Sequence, residues 1–122
     1  MAKPKKIRMS KALKERLNSH VKQGRKKTVY RMMLKKFSIV PCFLCERHVE
    51  EKHCTLEHVI PYADGGTDDL ENLSISHHIC NQRRQRMPLG SPEFMELRAV
   101  MSEKHKKQPS VAEVLARNAL DN

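Results

Sequence analysis

Two pairs of ligand residues with the same gap constrain this chain more than any other feature: Cys42-Phe-Leu-Cys45 and, after a long intervening segment, His77-His-Ile-Cys80. Thiolates and imidazole at this spacing are the donor set of a closed, tetrahedral structural zinc site. Soft sulfur ligands also favour Zn²⁺ over Mg²⁺ or Ca²⁺. The first pair reads as a tight knuckle, and the second as positions i and i+3 on one helical face. His77 is the expected fourth ligand beside Cys42, Cys45 and Cys80, with His78 and Cys54 as alternatives. The competing reading, buried thiols beside a satisfied core histidine, requires two correctly spaced pairs to coincide by chance. The chain needs such a clip, because 122 residues with 39% hydrophobic and 4% aromatic content can bury only a thin core. In a reducing compartment the Cys42–Cys45 pair is a metal clip rather than a disulfide.

The chain carries 24 Lys and Arg against 14 Asp and Glu, a net charge of +10 that points to a polyanionic partner. Residues 1 to 37 hold 14 basic side chains and one acid, Glu15, whereas residues 42 to 82 hold two and eight. Residues 83 to 122 hold eight and five. An acidic island inside a basic chain would repel a phosphate ligand, unless some of its carboxylates hold a divalent cation. No apolar run approaches the roughly 18 residues of a membrane span. The N-terminus, Met1-Ala-Lys-Pro-Lys-Lys, lacks the apolar stretch of a signal peptide. The expectation is a soluble, cytoplasmic protein with no membrane partner.

Charge and pattern divide the chain into a basic helical N-terminal arm (1–37), a core (38–88) and a C-terminal helical extension (89–122). Leu13, Leu17 and Val21 recur every four positions, predicting a helix from Ser10 to Val21 that the Gln23-Gly24 step ends. A second helix is predicted over Thr28–Phe37, stopping before Pro41. Thr55–Ile60 alternates and predicts a strand, and Glu71–Ile75 a short second strand or extended turn. The paired glycines of Ala63-Asp-Gly-Gly-Thr-Asp-Asp69 predict a turn between them. His77 to Met87 reads as a helix stopped by Pro88. Glu93–His105 and Val111–Leu120 read as two more, the last capped by Ser110.

Between the ligand pairs lies Leu56-Glu57-His58-Val-Ile-Pro61-Tyr-Ala-Asp-Gly65-Gly66-Thr-Asp-Asp-Leu70-Glu-Asn72-Leu73, followed by Cys80-Asn81-Gln-Arg. This ordered set of an acid-His pair, a Pro, a Gly-Gly turn, Asp-Asp-Leu-x-Asn-Leu and Cys-Asn resembles the HNH endonucleases. The resemblance covers about residues 42 to 84. It implies an α+β fold, a small ββα-metal (HNH, His-Me) finger stapled by zinc and flanked by N- and C-terminal helices. It implies that His58 is the general base and Glu57 the acid that holds a catalytic divalent metal. Asn72 matches the middle Asn, which shapes the loop and orients the base. Asn81 takes the place of the final His as second metal ligand. The chain departs from the family pattern in having Glu57 where Asp is commoner, His77 where Cys is usual, and Asn81 as the last letter, an H-N-N version. By resemblance, cleavage leaves 5′-phosphate and 3′-hydroxyl ends.

The same chemistry follows from the residue types. Hydrolysing a phosphodiester needs a base that is neutral at about pH 7 to 8, which imidazole supplies. It also needs positive charge on the scissile phosphate, which Mg²⁺ or Mn²⁺ held by Glu57 and Asn81 would provide. Strict alternation along a strand, however, sends Glu57 and His58 to opposite faces, so the strand must twist or end there. Arg25, Lys26 and Lys27 form the densest basic cluster and are expected on the phosphate backbone, with Arg83, Arg84 and Arg86 on the phosphates flanking the cut. Scarce aromatics argue against single-strand capture by stacking, so double-stranded DNA is the expected substrate, with structured RNA or branched DNA as variants. One site cuts one strand, so a monomer is expected to nick, and a homodimer or a second visit to break the duplex. No base-reading module is visible, so sequence specificity is expected to be low or to reside in the C-terminal helices or a protein partner. The remaining histidines, His20, His48, His53, His78 and His105, are assigned no function. A rival reading is a non-catalytic, zinc-stabilised DNA-binding accessory module.

Overall fold

A computed structural model describes residues 10–121, without the side chains of Ser19, His20 and Asp121. Lys3, Lys5, Lys6 and Arg8 of the basic arm lie outside the described residues. The first element is a single 27-residue helix, α1 (Lys11–Phe37), instead of the two helices expected. Ser10 caps its start, accepting from Leu13 N at 3.2 Å. Gly24 does not break it, because a helical Gly costs only about 1 kcal/mol relative to Ala and no proline or left-handed residue follows. The Thr28 hydroxyl also donates to Gly24 O at 3.0 Å, tying the turn around the glycine. The helix stops at Ser38, which takes the left-handed conformation (φ 65°) and donates its N–H to Leu34 O.

Two antiparallel strands follow, β1 (Cys54–His58) and β2 (Leu73–His77), paired Cys54 with His77 through His58 with Leu73. Both are displaced from the expected spans. The first ends at His58 rather than Ile60, and the second begins after a 3₁₀ turn at Leu70–Asn72. Helix α2 (His78–Arg84) continues directly from β2 and completes a ββα unit. It ends before Pro88 because Gln85 takes a positive φ of 52°. Helices α3 (Pro92–Lys104) and α4 (Val111–Asp121) close the described chain. Ser91 caps α3, and Ser110 Oγ accepts from Glu113 N at the start of α4.

One core spans all three segments of the chain. Val29 and Tyr30 of α1 join Val40, Leu44, Val49, Leu56, Leu73 and Ile75 of the finger and Phe94 and Met101 of α3. The Tyr30 hydroxyl donates to Val49 O at 2.9 Å, so the burial of its ring leaves no polar atom unpaired. The basic N-terminal helix is therefore an arm only along its first half, where Leu13, Leu17 and Val21 remain exposed. Among the described residues no helix is long and apolar enough to cross a membrane.

Candidate functional site

The knuckle and the strand-to-helix junction bring Cys42, Cys45, His77 and Cys80 together. Their ligand atoms lie within 4.8 Å of one another, and all four residues are buried. His77 is the last residue of β2 and the cap of α2, so the His77–Cys80 pair straddles the junction instead of lying on one helical face. Its Nδ1 is 3.5 Å from Cys45 Sγ and 3.7 Å from Cys80 Sγ. Its Nε2 is 3.1 Å from His48 O, and a carbonyl only accepts, so the proton sits on Nε2 and the Nδ1 lone pair faces the sulfurs. Of the alternative ligands, His78 is exposed and Cys54 is a buried core residue outside the cluster.

The donor set fits Zn²⁺. Burial pushes the Cys42 thiol up, yet hydrogen bonds from Cys45, Cys80 and His77 outweigh it and hold Cys42 far below the ordinary thiol range. The Cys45 thiol is pushed up to about 12, chiefly by its hydrogen bond to Cys42, and Cys80 is pushed up by the same neighbours. Three sulfurs meeting an imidazole nitrogen at one buried point would, as thiolates, require a cation between them. Cys42, Cys45, Cys80 and His77 would hold it.

The loop between the strands is shaped by two residues. A Cβ on Gly66 would lie 1.7 Å from Ile60 O, so only glycine lets the loop fold back there. Gly65, at φ 90°, supplies the preceding turn. Asn72 then pins the loop from inside. Its Oδ1 accepts from Ile60 N at 2.8 Å, and its Nδ2 donates to Ile60 O and Thr67 O at 3.0 and 2.8 Å.

Pinning Thr67 brings Asp68 to His58. His58 lies 2.9 Å from Asp68 Oδ1 through its Nε2, and the second Asp68 oxygen accepts from the Tyr62 hydroxyl and pairs with Arg25 at 3.1 Å. The Tyr62 hydroxyl, followed by His58, holds the Asp68 carboxyl below its ordinary range, so Asp68 is a carboxylate and the His58 Nε2 must be the donor. That leaves Nδ1 as the basic nitrogen. His58 and Asp68 line a groove of about 550 Å³ whose opposite wall is α1, through Asn18, Val21, Lys22 and Arg25. Sequence reasoning named His58 and Arg25 but missed Asp68 and Tyr62. The signal for Asp68 was the Asp-Asp-Leu-x-Asn-Leu run in an acidic loop, which does not say which carboxylate turns inward.

Glu57, one residue away, points to the opposite face as alternation requires. It is 3% exposed and its Oε1 pairs with Arg84, whose side chain is 1% exposed. The Arg84 guanidinium also donates to His58 O and Val59 O and stacks 5.0 Å from the Phe43 ring centroid. Burial holds the Glu57 carboxyl above its ordinary range, with Arg84 opposing. Arg84, expected on a flanking phosphate, is instead sealed inside, because an unpaired Glu57 carboxylate would be costly to bury. A hard divalent cation on Glu57 and Asn81 does not fit the site as folded. Arg84 already neutralises the carboxylate, Asn81 turns its amide nitrogen to Leu56 O at 3.4 Å, and the Glu57 oxygen without a partner, Oε2, is buried.

The other expected phosphate contacts lie on the surface. Lys27 and Arg83 are exposed, Arg25 and Lys26 are half-buried, and exposed Arg86 pairs with Asp64. Arg86 reaches the loop between the strands through Asp64, whereas Lys22 and Arg25 of α1 line the His58 groove, so His58 faces that helix.

Residues 42–86 match the protein family described as HNH endonuclease. A comparison with characterised proteins finds no match to the chain. The matched segment contains the Cys/His cluster, the β1–β2 hairpin, the pinned loop and α2. The ββα finger is thus the part of the chain that carries the match to the HNH endonuclease family, over residues 42–86.

Proposed function

We propose that this protein is an endonuclease that hydrolyses DNA phosphodiester bonds, with His58 as general base and double-stranded DNA as substrate. One observation carries the reading: within the HNH match, His58 is held by a carboxylate in an open groove walled by a basic helix. The contacts support a role for each residue. Asp68 engages Nε2 and leaves Nδ1 to take a proton from water as the oxygen attacks phosphorus. The P–O3′ bond breaks, and the leaving 3′-oxygen takes a proton from solvent, giving 5′-phosphate and 3′-hydroxyl ends. Lys22 and Arg25, with Lys26 and Lys27 further along α1, hold the backbone phosphates, and Asn72 keeps the loop in register. Dependence on Mg²⁺ or Mn²⁺ is what the family resemblance implies, and a cation at Glu57 would first have to displace Arg84.

The same ion pair favours a second reading, a zinc-stabilised DNA-binding module without catalysis, since it closes the carboxylate that family members use for metal. Supercoiled plasmid at about pH 8 separates the two. The protein is incubated with Mg²⁺, with Mn²⁺ and with EDTA, beside His58→Ala. Open circles that depend on His58 support the nuclease, and loss of cleavage in EDTA alone assigns it a metal. A gel shift without cutting under every condition sinks catalysis and leaves the binding module.

A further inference from the structure

His105, assigned no function from the sequence, stands at the zinc centre. It follows α3 as its C-terminal cap, with its N–H on Met101 O at 3.0 Å. Its Nδ1 is 3.7 Å from Cys45 Sγ and 3.9 Å from Cys80 Sγ. His77 Nδ1 is 3.5 and 3.7 Å from the same two sulfurs. The two rings stack 4.0 Å apart at 16°, so they present the same nitrogen to the same edge of the cluster. A tetrahedral zinc with Zn–S of about 2.3 Å and Zn–N of about 2.0–2.1 Å sets sulfur and nitrogen roughly 3.6 Å apart. Both imidazoles are within a few tenths of an ångström of that separation, yet a closed structural site has only one position left after three thiolates.

We propose that His105 is an alternative fourth ligand of the zinc centre, competing with His77 and tying the C-terminal extension to the metal. The two imidazoles differ in how they are held. His77 is fixed by its Nε2 to His48 O and by its own N–H near Cys42 Sγ. His105 makes its ring contacts among the described residues to the two sulfurs and the His77 ring. It also borders a cleft of about 390 Å³ lined by His48, Glu50, His53, His77 and His78, which gives its ring room to shift. His77 therefore holds the position at rest, while His105 donates Nδ1–H towards the thiolates and takes the metal when His77 is absent. The consequence reaches beyond the site. His48 N donates to Pro109 O, and the Arg47 guanidinium reaches Ser102, Gln108 O and Glu113, so the chain on both sides of His105 packs on the same knuckle.

The test uses the full chain loaded with Co²⁺ in place of zinc, in wild type, His77→Ala, His105→Ala and the double variant. Metal affinity is read by chelator competition and coordination by the visible d–d bands. His77→Ala is expected to keep the tetrahedral bands and bind about 10-fold more weakly, within the range typical of perturbed ligand shells. The double variant is expected to lose the tetrahedral bands and bind at least a further 10-fold more weakly. His105→Ala is expected to bind within a few-fold of wild type but to be cut faster by trypsin at Lys104, Lys106 and Lys107. If His77→Ala does not fold without metal, refolding in Co²⁺ becomes the readout, and it must succeed for the single variant and fail for the double. Equal loss of the tetrahedral bands, or of refolding, in His77→Ala and the double variant overturns the proposal.

Discussion

The zinc cluster and the His58 groove sit at opposite ends of one hairpin and are built on opposite principles. At the cluster, two ligand pairs far apart in sequence converge on one buried point. At the other end, the neighbours Glu57 and His58 are driven apart by the pleat of β1, one into a sealed ion pair with Arg84 and the other into an open groove with Asp68. Convergence on a point depends on ligand type and spacing, which are written in the sequence. Divergence across a strand leaves each residue to partners from other parts of the chain.

The largest effect expected is on the convergent end. Cys42→Ser should abolish zinc binding and the cooperative melt, since structural zinc contributes about 10–16 kcal/mol in small zinc-finger peptides. Retained zinc with an unchanged melting curve would refute the structural site.

The sealed half of the divergent end is next. Arg84→Met leaves Glu57 buried without a partner and should cost about 3–5 kcal/mol in urea unfolding, most of it recovered by adding Glu57→Gln. Glu57 is already held above its ordinary value by burial. A carboxyl raised in the folded state adds stability that is complete below its unfolded value and is lost as pH rises through its folded value. The Arg84→Met variant should therefore weaken as pH climbs from the ordinary carboxylate range, with the loss extending further up than in wild type. A cost below about 1 kcal/mol would mean that the pair is not the buried bridge the packing implies.

The open half gives a smaller and purely kinetic effect. Asp68→Asn should slow plasmid nicking on the order of 10- to 100-fold, because the base loses its orienting carboxylate, while the melting curve stays put. An unaltered single-turnover rate would remove Asp68 from the site. Smallest is the far wall of the groove. Lys22→Ala should reduce the slope of log affinity against log salt by about 0.9, the signature of one lost phosphate contact, and an unchanged slope would take α1 off the DNA path.

The sequence by itself determined the parts that depend on residue type at fixed spacing. The Cys/His set, the Gly-Gly turn, the strand-strand-helix order and the His58 motif were all legible, because chelation, positive φ and alternation are local requirements. The tertiary structure decided everything that depends on which distant groups meet. Gly24 looked like a stop and became the interior of α1, since the core claims Val29 and Tyr30 one turn later and rewards continuing the helix. Arg84 looked like a phosphate contact and became the counterion of Glu57, because a buried carboxylate must be neutralised by whichever cation can reach it. Asp68 sat in the Asp-Asp-Leu-x-Asn-Leu run with no role assigned to it, and His105 carried no motif at all. Only folding brings a loop carboxylate to one imidazole and a helix cap to the thiolates.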